Sequence, residues 1–591
     1  MQPILTTNLE DSDDFIYEVK YDGFRTILHW GKKDIQIISR NNKNITQQFP
    51  EIIDACKAVA SFVEDYLPLQ LDGELVTLDH NYQANFSKIQ QRGRMKSKER
   101  IVEAADKRPT TLLLFDVLQW KGKDVKQQAL TQRKQLLHEL PDKIQAQYAL
   151  QIISSDESYH HVYKTVKEYQ AEGLVAKRKN SSYISGKSHR DWFKEKNWRT
   201  ITGFFLEYNA ENGYFQIGVF DGEEVIIIGQ CKHGLTEKEN QTIQQFFTKK
   251  GTKSGPSYKL PPAICVKIHT LGYFKGYLRE PSFVHLMPNL QPENCTKDQL
   301  QIDLAMLPEE VTLSNEQKLY WEEAGVTKMD LLIYTRNIFP YMFPYMKERA
   351  LTVIRCPEGV EDTCFFQKHV PDYAPEFMKR TDEKIVCNQL AALIWLANHG
   401  SVEYHIPFNT IDSTHPDQII FDLDPPSKAD FWMAVETALL FRQVFEMLEL
   451  TTFVKTSGNK GIQIHLPLPL KTHTYEETAV FTKRIAHMIV EAAPDLCTTE
   501  RMKNKRQGKL YIDYVQHGKK KTIIAPYSPR KTNQATIATP LHWEEVNQNL
   551  IPEQFTISSV QQRLREEGCP WYFNYENARY QSFDKAAPLF R

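Results

Sequence analysis

Hydrophobic and polar positions alternate with a period of two through FIYEVKYDGFRTILHW, Phe15 to Trp30, the pattern of a strand rather than a helix. Alternation places Glu18 and Lys20 on one face and Tyr17, Val19 and Tyr21 on the other. Asp22-Gly23 then ends the run as a turn, because glycine tolerates positive φ and aspartate can bond its own backbone. Short strands mixed with helical stretches such as Gln47 to Asp65 predict an α+β domain over residues 1–197. From Ile201 the texture becomes strand, turn, strand: GFFLEYN, AENG, YFQIGVF, DGEE, VIIIGQC. Turns at this spacing predict a small antiparallel β barrel over 198–290. Polar residues then predict a linker at 291–308, and strands alternate with helices again through 309–591.

Length and composition sharpen this picture only in places. A chain of 591 residues exceeds what one core supports, so about two to four domains are expected. Apolar and charged fractions of 41% and 25% exclude a disordered or fibrous class. A formal charge of −1 means that any anion-binding surface must be local. Two basic clusters qualify: Arg92, Arg94, Lys96, Lys98 and Arg100, and the run from Arg501 to Lys521, which holds Asp513 as its single acid. Such runs are ordinarily solvated faces and become phosphate tracks only beside catalytic groups. Nine cysteines without a C-x-x-C argue against a disulfide framework or zinc knuckle and for reduced thiols. The acidic start MQPILTTNLEDSDDF lacks a signal-peptide pattern, and LAALIWLA, Leu390 to Ala397, is too short to span a bilayer. A cytoplasmic, membrane-free location is expected.

Chemistry-bearing residues recur in strand or turn contexts. In order they are KYDGFR, SRNN, DGELV, LLLFDVL, EGLVAKR, WFKEK and, after the barrel, LREPSF. This series resembles the nucleotidyltransferase motifs of ATP-dependent DNA ligases. The resemblance implies an ATP-grasp-like nucleotidyltransferase domain followed by an OB-fold, with ATP as cofactor. Lys20 would be the nucleophile that becomes covalently adenylated. Glu18 and Phe115 would contact and stack on the adenine, and Arg25, Arg40 and Arg279 would contact ribose and phosphates. Glu74 and Glu172 would serve the ribose and a divalent metal. An attacking lysine must be neutral, which calls for a pKa depressed by neighbours such as Lys194, Lys196 or a metal. Singly, Phe115 reads as core and the arginines as surface ion pairs. RNA ligases and messenger-RNA capping enzymes share this fold and its lysine, so substrate identity needs other evidence.

The later half supplies it. IIFDLDPP, Ile419 to Pro426, is an apolar strand carrying Asp422 and Asp424 on one face, about 7 Å apart. LYIDYV carries Asp513 in a second strand. D-x-D alone fits a solvent-facing edge, but three carboxylates among apolar residues are costly without cations, which favours a magnesium or manganese pair. Lys455 to Gly461, KTSGNKG, is a turn suited to phosphates. With I-D-Y-x-Q and A-P-Y-S-x-R, this half resembles the polymerase domain of the bacterial DNA ligase D family, an archaeo-eukaryotic primase relative with an α/β fold. By that likeness Asp422, Asp424 and Asp513 carry metals, while His405, Ser457, Lys460, Gln516 and Arg530 bind incoming deoxyribo- or ribonucleoside triphosphates. Lys318 and Lys328 match lysines holding the DNA 5′-phosphate, and Phe365 and Phe366 match aromatics packed against DNA, although such a pair is more often core.

The chain departs from this pattern at Gln463, where histidine is common with His465 two residues further on, at Ala350 after Arg349, and at His517 after Gln516. The resemblance leaves no stretch for the phosphoesterase domain of some members. It implies a monomeric repair ligase and gap-filling polymerase acting on DNA ends, gaps and nicks with the Ku homodimer. The competing expectation is an end-bridging scaffold with one vestigial site.

Overall fold

The computed structural model describes residues 1–591 apart from 8, 146–147, 187, 379–382 and 573. Two compact units divide it, Met1–Leu307 and Pro308–Arg591.

In the first unit the alternating run forms strands β1 (Phe15–Lys20) and β2 (Phe24–Trp30), as its period requires. Each joins a different sheet. The first has the order Gln2–Leu5, β6 (Ser188–Lys196), β5 (Gly173–Arg178), β1, Ser155–Asp156. The second has the order Leu150–Ile152, β4 (Thr111–Trp120), β3 (Leu69–Val76), β2, Ile35–Ser39. Helix Tyr159–Glu168 covers the first sheet, with Tyr17, Val162, Leu174 and Ala176 buried in one cluster. A larger cluster around Leu28, Trp30, Leu71 and Leu114 lies against the second, under helix Pro50–Ala58. The helical stretch expected from Gln47 to Asp65 is thus a series of short helices, the longest of them, Pro50–Ala58, opened by Pro50 at its N-terminal turn.

The strand–turn–strand segment forms a six-stranded sheet built on Arg199–Asn209, Phe215–Asp221, Glu224–Cys231 and Ser257–Thr270. Gly213 and Gly222 take positive φ in its two predicted turns. The pattern had not announced helix Glu237–Lys250, whose Ile243 and Phe247 enter the core of this sheet. A correction concerns 291–308. The expected linker carries helix Lys297–Ala305, with Cys295 and Leu300 buried in that core and Asp303 accepting from the Thr202 amide at 3.0 Å. Sparse apolar residues among polar ones had masked the two buried helix positions, Leu300 and Ala305.

The second unit contains two larger sheets besides the strand pair Leu319–Trp321 and Val326–Thr327. Four strands run β8 (Phe365–Gln367), β7 (Thr352–Arg355), β9 (Ser401–Pro407), Thr522–Ile524. Six run Cys497–Thr498, β13 (Leu510–Asp513), β10 (Gln418–Asp424), β12 (Ile462–Pro467), β11 (Phe453–Thr456), Pro540–Leu541. Phe421 packs on Phe441 and Phe445 of helix α1 (Phe431–Met447), so by alternation the opposite face of β10 presents Asp422 and Asp424. The aromatic C-terminal stretch also packs on the six-stranded sheet: Trp571 donates to Val454 O at 3.1 Å and Tyr575 to Gln418 at 2.7 Å. Residues 390–397 lie in a short buried helix, and no helix among the described residues is long and apolar enough to cross a membrane.

The expectation of wholly reduced thiols needs a second correction, since Cys356 and Cys364 are bonded. Arg355 pairs with Phe365 across β7 and β8, so antiparallel register sets the two cysteines opposite each other. Among the described residues seven cysteines remain free.

Candidate active sites

In the first unit the sites grow out of register. Lys20 pairs with Gly173 on β5, which pairs with Lys196 on β6; Glu18, Val175 and Lys194 form the next such row. Gly173 has a steric reason to be glycine: a Cβ there would lie 2.0 Å from Glu195 O. The residue before it, Glu172, reaches Lys20 Nζ at 2.5 Å. Burial would push the Lys20 amine down, but Glu172 outweighs it and holds the pKa above the ordinary lysine value. The structure therefore differs from the depressed pKa anticipated for Lys20. The depression falls on Lys194 instead, from burial and then from Lys20 and Lys196. Lys196 is paired with Glu280, and Arg279 of the LREPSF block is paired with Asp22 of the first turn.

The second sheet contributes the facing groups. Arg25 and Glu74 are register partners on β2 and β3. Arg25 is clamped by Asp72, with Nη2 at 2.7 Å, and lies 5.3 Å from the Phe115 ring and 5.5 Å from Trp192. Tyr183 donates to the same Asp72 at 2.7 Å. Arg40 is exposed, and its amide bonds Arg25 O at 3.0 Å. Glu18 is buried, its carboxylate taken by Lys134 and by Lys177, the latter at 2.6 Å. Lys177 in turn sits 4.3 Å from Phe115 and 4.4 Å from Trp192, and burial pushes its amine down to about 8. Asp72, Lys134, Lys177, Tyr183 and Trp192 had escaped the sequence reading. Asp72 and Lys177 stand inside the quoted blocks DGELV and EGLVAKR, where a polar residue in an apolar strand was the available signal.

In the second unit Asp422 pairs with Asp513 across β10 and β13 and with Gln463 across β10 and β12. Gln463 donates to Asp422 at 3.2 Å. Asp424 faces Lys460 at 2.9 Å and Arg506 at 3.5 Å, which draws one residue of the basic run to the carboxylates. Asp513 accepts from the Gln516 amide at 2.9 Å. The Ser457 hydroxyl accepts from the Gly461 amide at 3.1 Å, closing the glycine turn; Gly458 takes φ +72° there, and a Cβ would meet Arg530 Cγ at 2.6 Å. Arg530 donates to Ser457 O at 3.1 Å and pairs with Glu403, which also receives His405 at 3.0 Å. Lys455 is fully buried and bonds Thr456 O at 3.4 Å. Glu403 had been passed over, and Lys455 and Arg506 had been read only as members of the glycine turn and the basic run.

The proposed DNA contacts divide. Phe365 and Phe366 are 44% and 70% exposed, which removes the core reading. Lys328 opens helix α2 (Lys328–Met346), its amine donating to Ser314, and its amide bonds Lys318 O at 2.8 Å. Burial, then Lys318, pushes the Lys328 amine down to about 8. Lys318 itself pairs with Glu358 at 2.6 Å.

Among the described residues no three His, Cys, Asp or Glu side chains converge as a ready cation cluster. The donor chemistry nonetheless fits a hard divalent ion completed by nucleotide phosphates and water. Burial pushes Glu74 up to about 8 despite Lys20 and Arg25, and pushes Asp422 up to about 6 with Asp424 and Asp513 adding to the rise. For both carboxylates burial outweighs the nearby cations, Lys20 and Arg25 at Glu74 and Lys455 at Asp422.

Comparison with known proteins agrees with this geometry. Residues 3–196 match the family of ATP dependent DNA ligase domains, and residues 327–571 match that of the LigD primase-polymerase domain. The chain is 38% identical to the bifunctional non-homologous end joining protein LigD of Bacillus subtilis, over 98% of this chain and 97% of that one. It is 23% identical to the multifunctional LigD of Pseudomonas aeruginosa, over 94% of this chain and 69% of that protein. Among solved structures, the polymerase domain of Mycobacterium tuberculosis ligase D in complex with DNA covers 45% of this chain at 28% identity, with a TM-score of 0.41 and 97% of that chain matched. A ligase domain and a primase-polymerase domain thus occur in one chain in the order of its bifunctional relative, and the chain belongs to the LigD family of non-homologous end joining proteins.

Proposed function

We propose that Lys20 is the residue adenylated by ATP and that Asp422, Asp424 and Asp513 form the polymerase centre of this ATP-dependent DNA ligase and polymerase. The observation that carries the ligase assignment is the Lys20–Glu172 contact of 2.5 Å beside the Lys20–Gly173–Lys196 row. Lys20 Nζ would attack the α-phosphate of ATP, form a phosphoramidate and release pyrophosphate. Glu172 keeps the amine protonated until its carboxylate is engaged elsewhere; Lys194 and Lys196 then favour the neutral form and neutralise phosphate charge. AMP would pass to a DNA 5′-phosphate, and a 3′-hydroxyl would displace it to close the strand. Phe115 and Trp192 offer faces for the adenine, and Arg25, oriented by Asp72, offers a donor for ribose or phosphate.

In the second unit Ser457, Lys460 and Arg530 surround the glycine turn and would bind the triphosphate, with His405 and Gln516 beside them. Magnesium or manganese, held by Glu74 and Glu172 in one unit and by the aspartates in the other, would supply Lewis-acid stabilisation of the pentacoordinate phosphate. Lys318 and Lys328 would hold the 5′-phosphate across a gap, and Phe365 and Phe366 would stack on DNA. The family likeness further supports ribo- as well as deoxyribonucleotides as substrates, a Ku homodimer as partner at DNA ends, a monomeric cytoplasmic enzyme and association with the nucleoid.

Protein stripped of bound AMP with pyrophosphate, then incubated with magnesium and α-labelled ATP, should acquire a covalent label that Lys20→Ala cannot acquire. Labelling of Lys20→Ala to the native extent would remove the assignment. Label from GTP in place of ATP would point to capping chemistry.

A further inference from the structure

Two segments far apart in sequence meet on one buried carboxylate in the second unit, and a third joins them through Arg530. Glu403 lies on β9 and is 2% exposed. Strand alternation puts it on the same face as His405, whose Nε2 lies 3.0 Å from Glu403 Oε2. The other oxygen accepts from the Lys531 amide at 3.0 Å and pairs with Arg530 Nε at 3.2 Å. Arg530 reaches onward from Nη1 to Ser457 O at 3.1 Å, so the chain of contacts ends in the glycine turn. The backbone of Arg530 is fixed as well, its carbonyl accepting from Trp321 Nε1 at 3.2 Å.

A buried carboxylate is costly unless its oxygens are taken by cations or donors. Here each oxygen is taken, and the two side-chain partners are groups assigned to the nucleotide. We infer that Glu403 is a positioning residue of the polymerase centre, holding His405 and Arg530 in the geometry that receives the triphosphate of the incoming nucleotide. The inference rests on the polymerase reading above. Glu403 does not itself face the nucleotide: its two oxygens are occupied, and it acts by limiting the rotamers of His405 and Arg530 before the substrate arrives. Without Glu403, the rotatable side chains of His405 and Arg530 would have to be ordered by the nucleotide itself on binding. The expected signature is therefore a weakened triphosphate interaction with little change in the chemical step.

The test uses the full chain on a gapped duplex with a 5′-phosphate, with magnesium or manganese. Glu403→Gln keeps the volume and one acceptor while removing the charge. It should raise KM for the nucleoside triphosphate about tenfold and weaken inhibition by pyrophosphate in parallel, with kcat within about twofold. Its melting temperature and its nick sealing through Lys20 should stay native. Glu403→Asp should recover part of the loss. Combined with Arg530→Ala, Glu403→Gln should add clearly less than it costs in the native background, because one of the two groups it positions is gone. A native KM in Glu403→Gln, or a full additive loss in the double variant, overturns the inference. A drop in kcat and melting temperature at unchanged KM marks a fold staple only and overturns it too. Asp424→Ala is run beside these variants: extension by Asp424→Ala would remove the polymerase reading itself, whereas its inactivity with a native Glu403→Gln removes only the role of Glu403.

Discussion

Replacing Gly173 by alanine is the sharpest test of how the adenylation site is built. The glycine is the middle member of the row that joins Lys20 to Lys196. A methyl carbon there would sit 2.0 Å from Glu195 O and 3.0 Å from Lys196 Cα, where ordinary contact begins at 3.4 Å. Both obstacles are backbone, so no side chain can swing aside. Strands β5 and β6 must part by about 1.4 Å, carrying Lys194 and Lys196 away from Lys20 and Glu172. Misplacement of about 1 Å is enough for a loss of roughly a hundredfold in rate, or about 2.7 kcal/mol of barrier. Overpacking adds about 1–3 kcal/mol of destabilisation. The assay is the single-turnover rate of label transfer from α-labelled ATP to the protein, with a native-like melting transition as the control for folding. Adenylation within a fewfold of native in a folded Gly173→Ala protein would refute the reasoning, because the row would then not need its present spacing.

Asp424→Ala should abolish primer extension while nick sealing survives, since the two centres lie in separate compact units; joint loss of both activities contradicts independent sites. His517, buried and bonded to Thr478, has its pKa pushed by burial from the ordinary 6.5 down to about 3. Below about pH 6.5 the unfolded chain takes up a proton that the folded one refuses, so stability is present above that pH and is lost toward pH 3 at about 1.4 kcal/mol per unit. His517→Asn should flatten this acid decline in a denaturant titration run at several pH values, and an unchanged slope would discard the assignment. Thiol titration of unreduced, denatured protein should count seven groups rather than the nine cysteines of the sequence, rising to nine after reduction, and Cys356→Ser, which frees Cys364 as it removes Cys356, should count eight before reduction; nine groups without reductant would dispose of the bond.

The strand and turn settings of the candidate residues were legible because they are local. A lysine before an aspartate-glycine turn, aspartates two apart in an apolar strand and a glycine-bearing phosphate turn each follow from neighbouring residues, and all three lie in or beside strands in the structure. Less legible were the elements whose apolar signal is thin, such as helix Lys297–Ala305, where burial of Leu300 against a sheet decided what composition had suggested was a linker. The aromatic C-terminal stretch likewise had no meaning until Trp571 and Tyr575 were seen against the six-stranded sheet.

By itself, then, the order of residues determined which side chains can do chemistry and which segments become strands, since period and residue type act over a few positions. Tertiary structure alone decided their partners. Lys20 meets a carboxylate 152 positions away and is held protonated rather than neutral, Glu403 gathers His405 and Arg530, and Cys356 finds Cys364 across a hairpin. Partner choice depends on sheet register and on burial, where a single residue of slip would turn every one of these side chains to the opposite face.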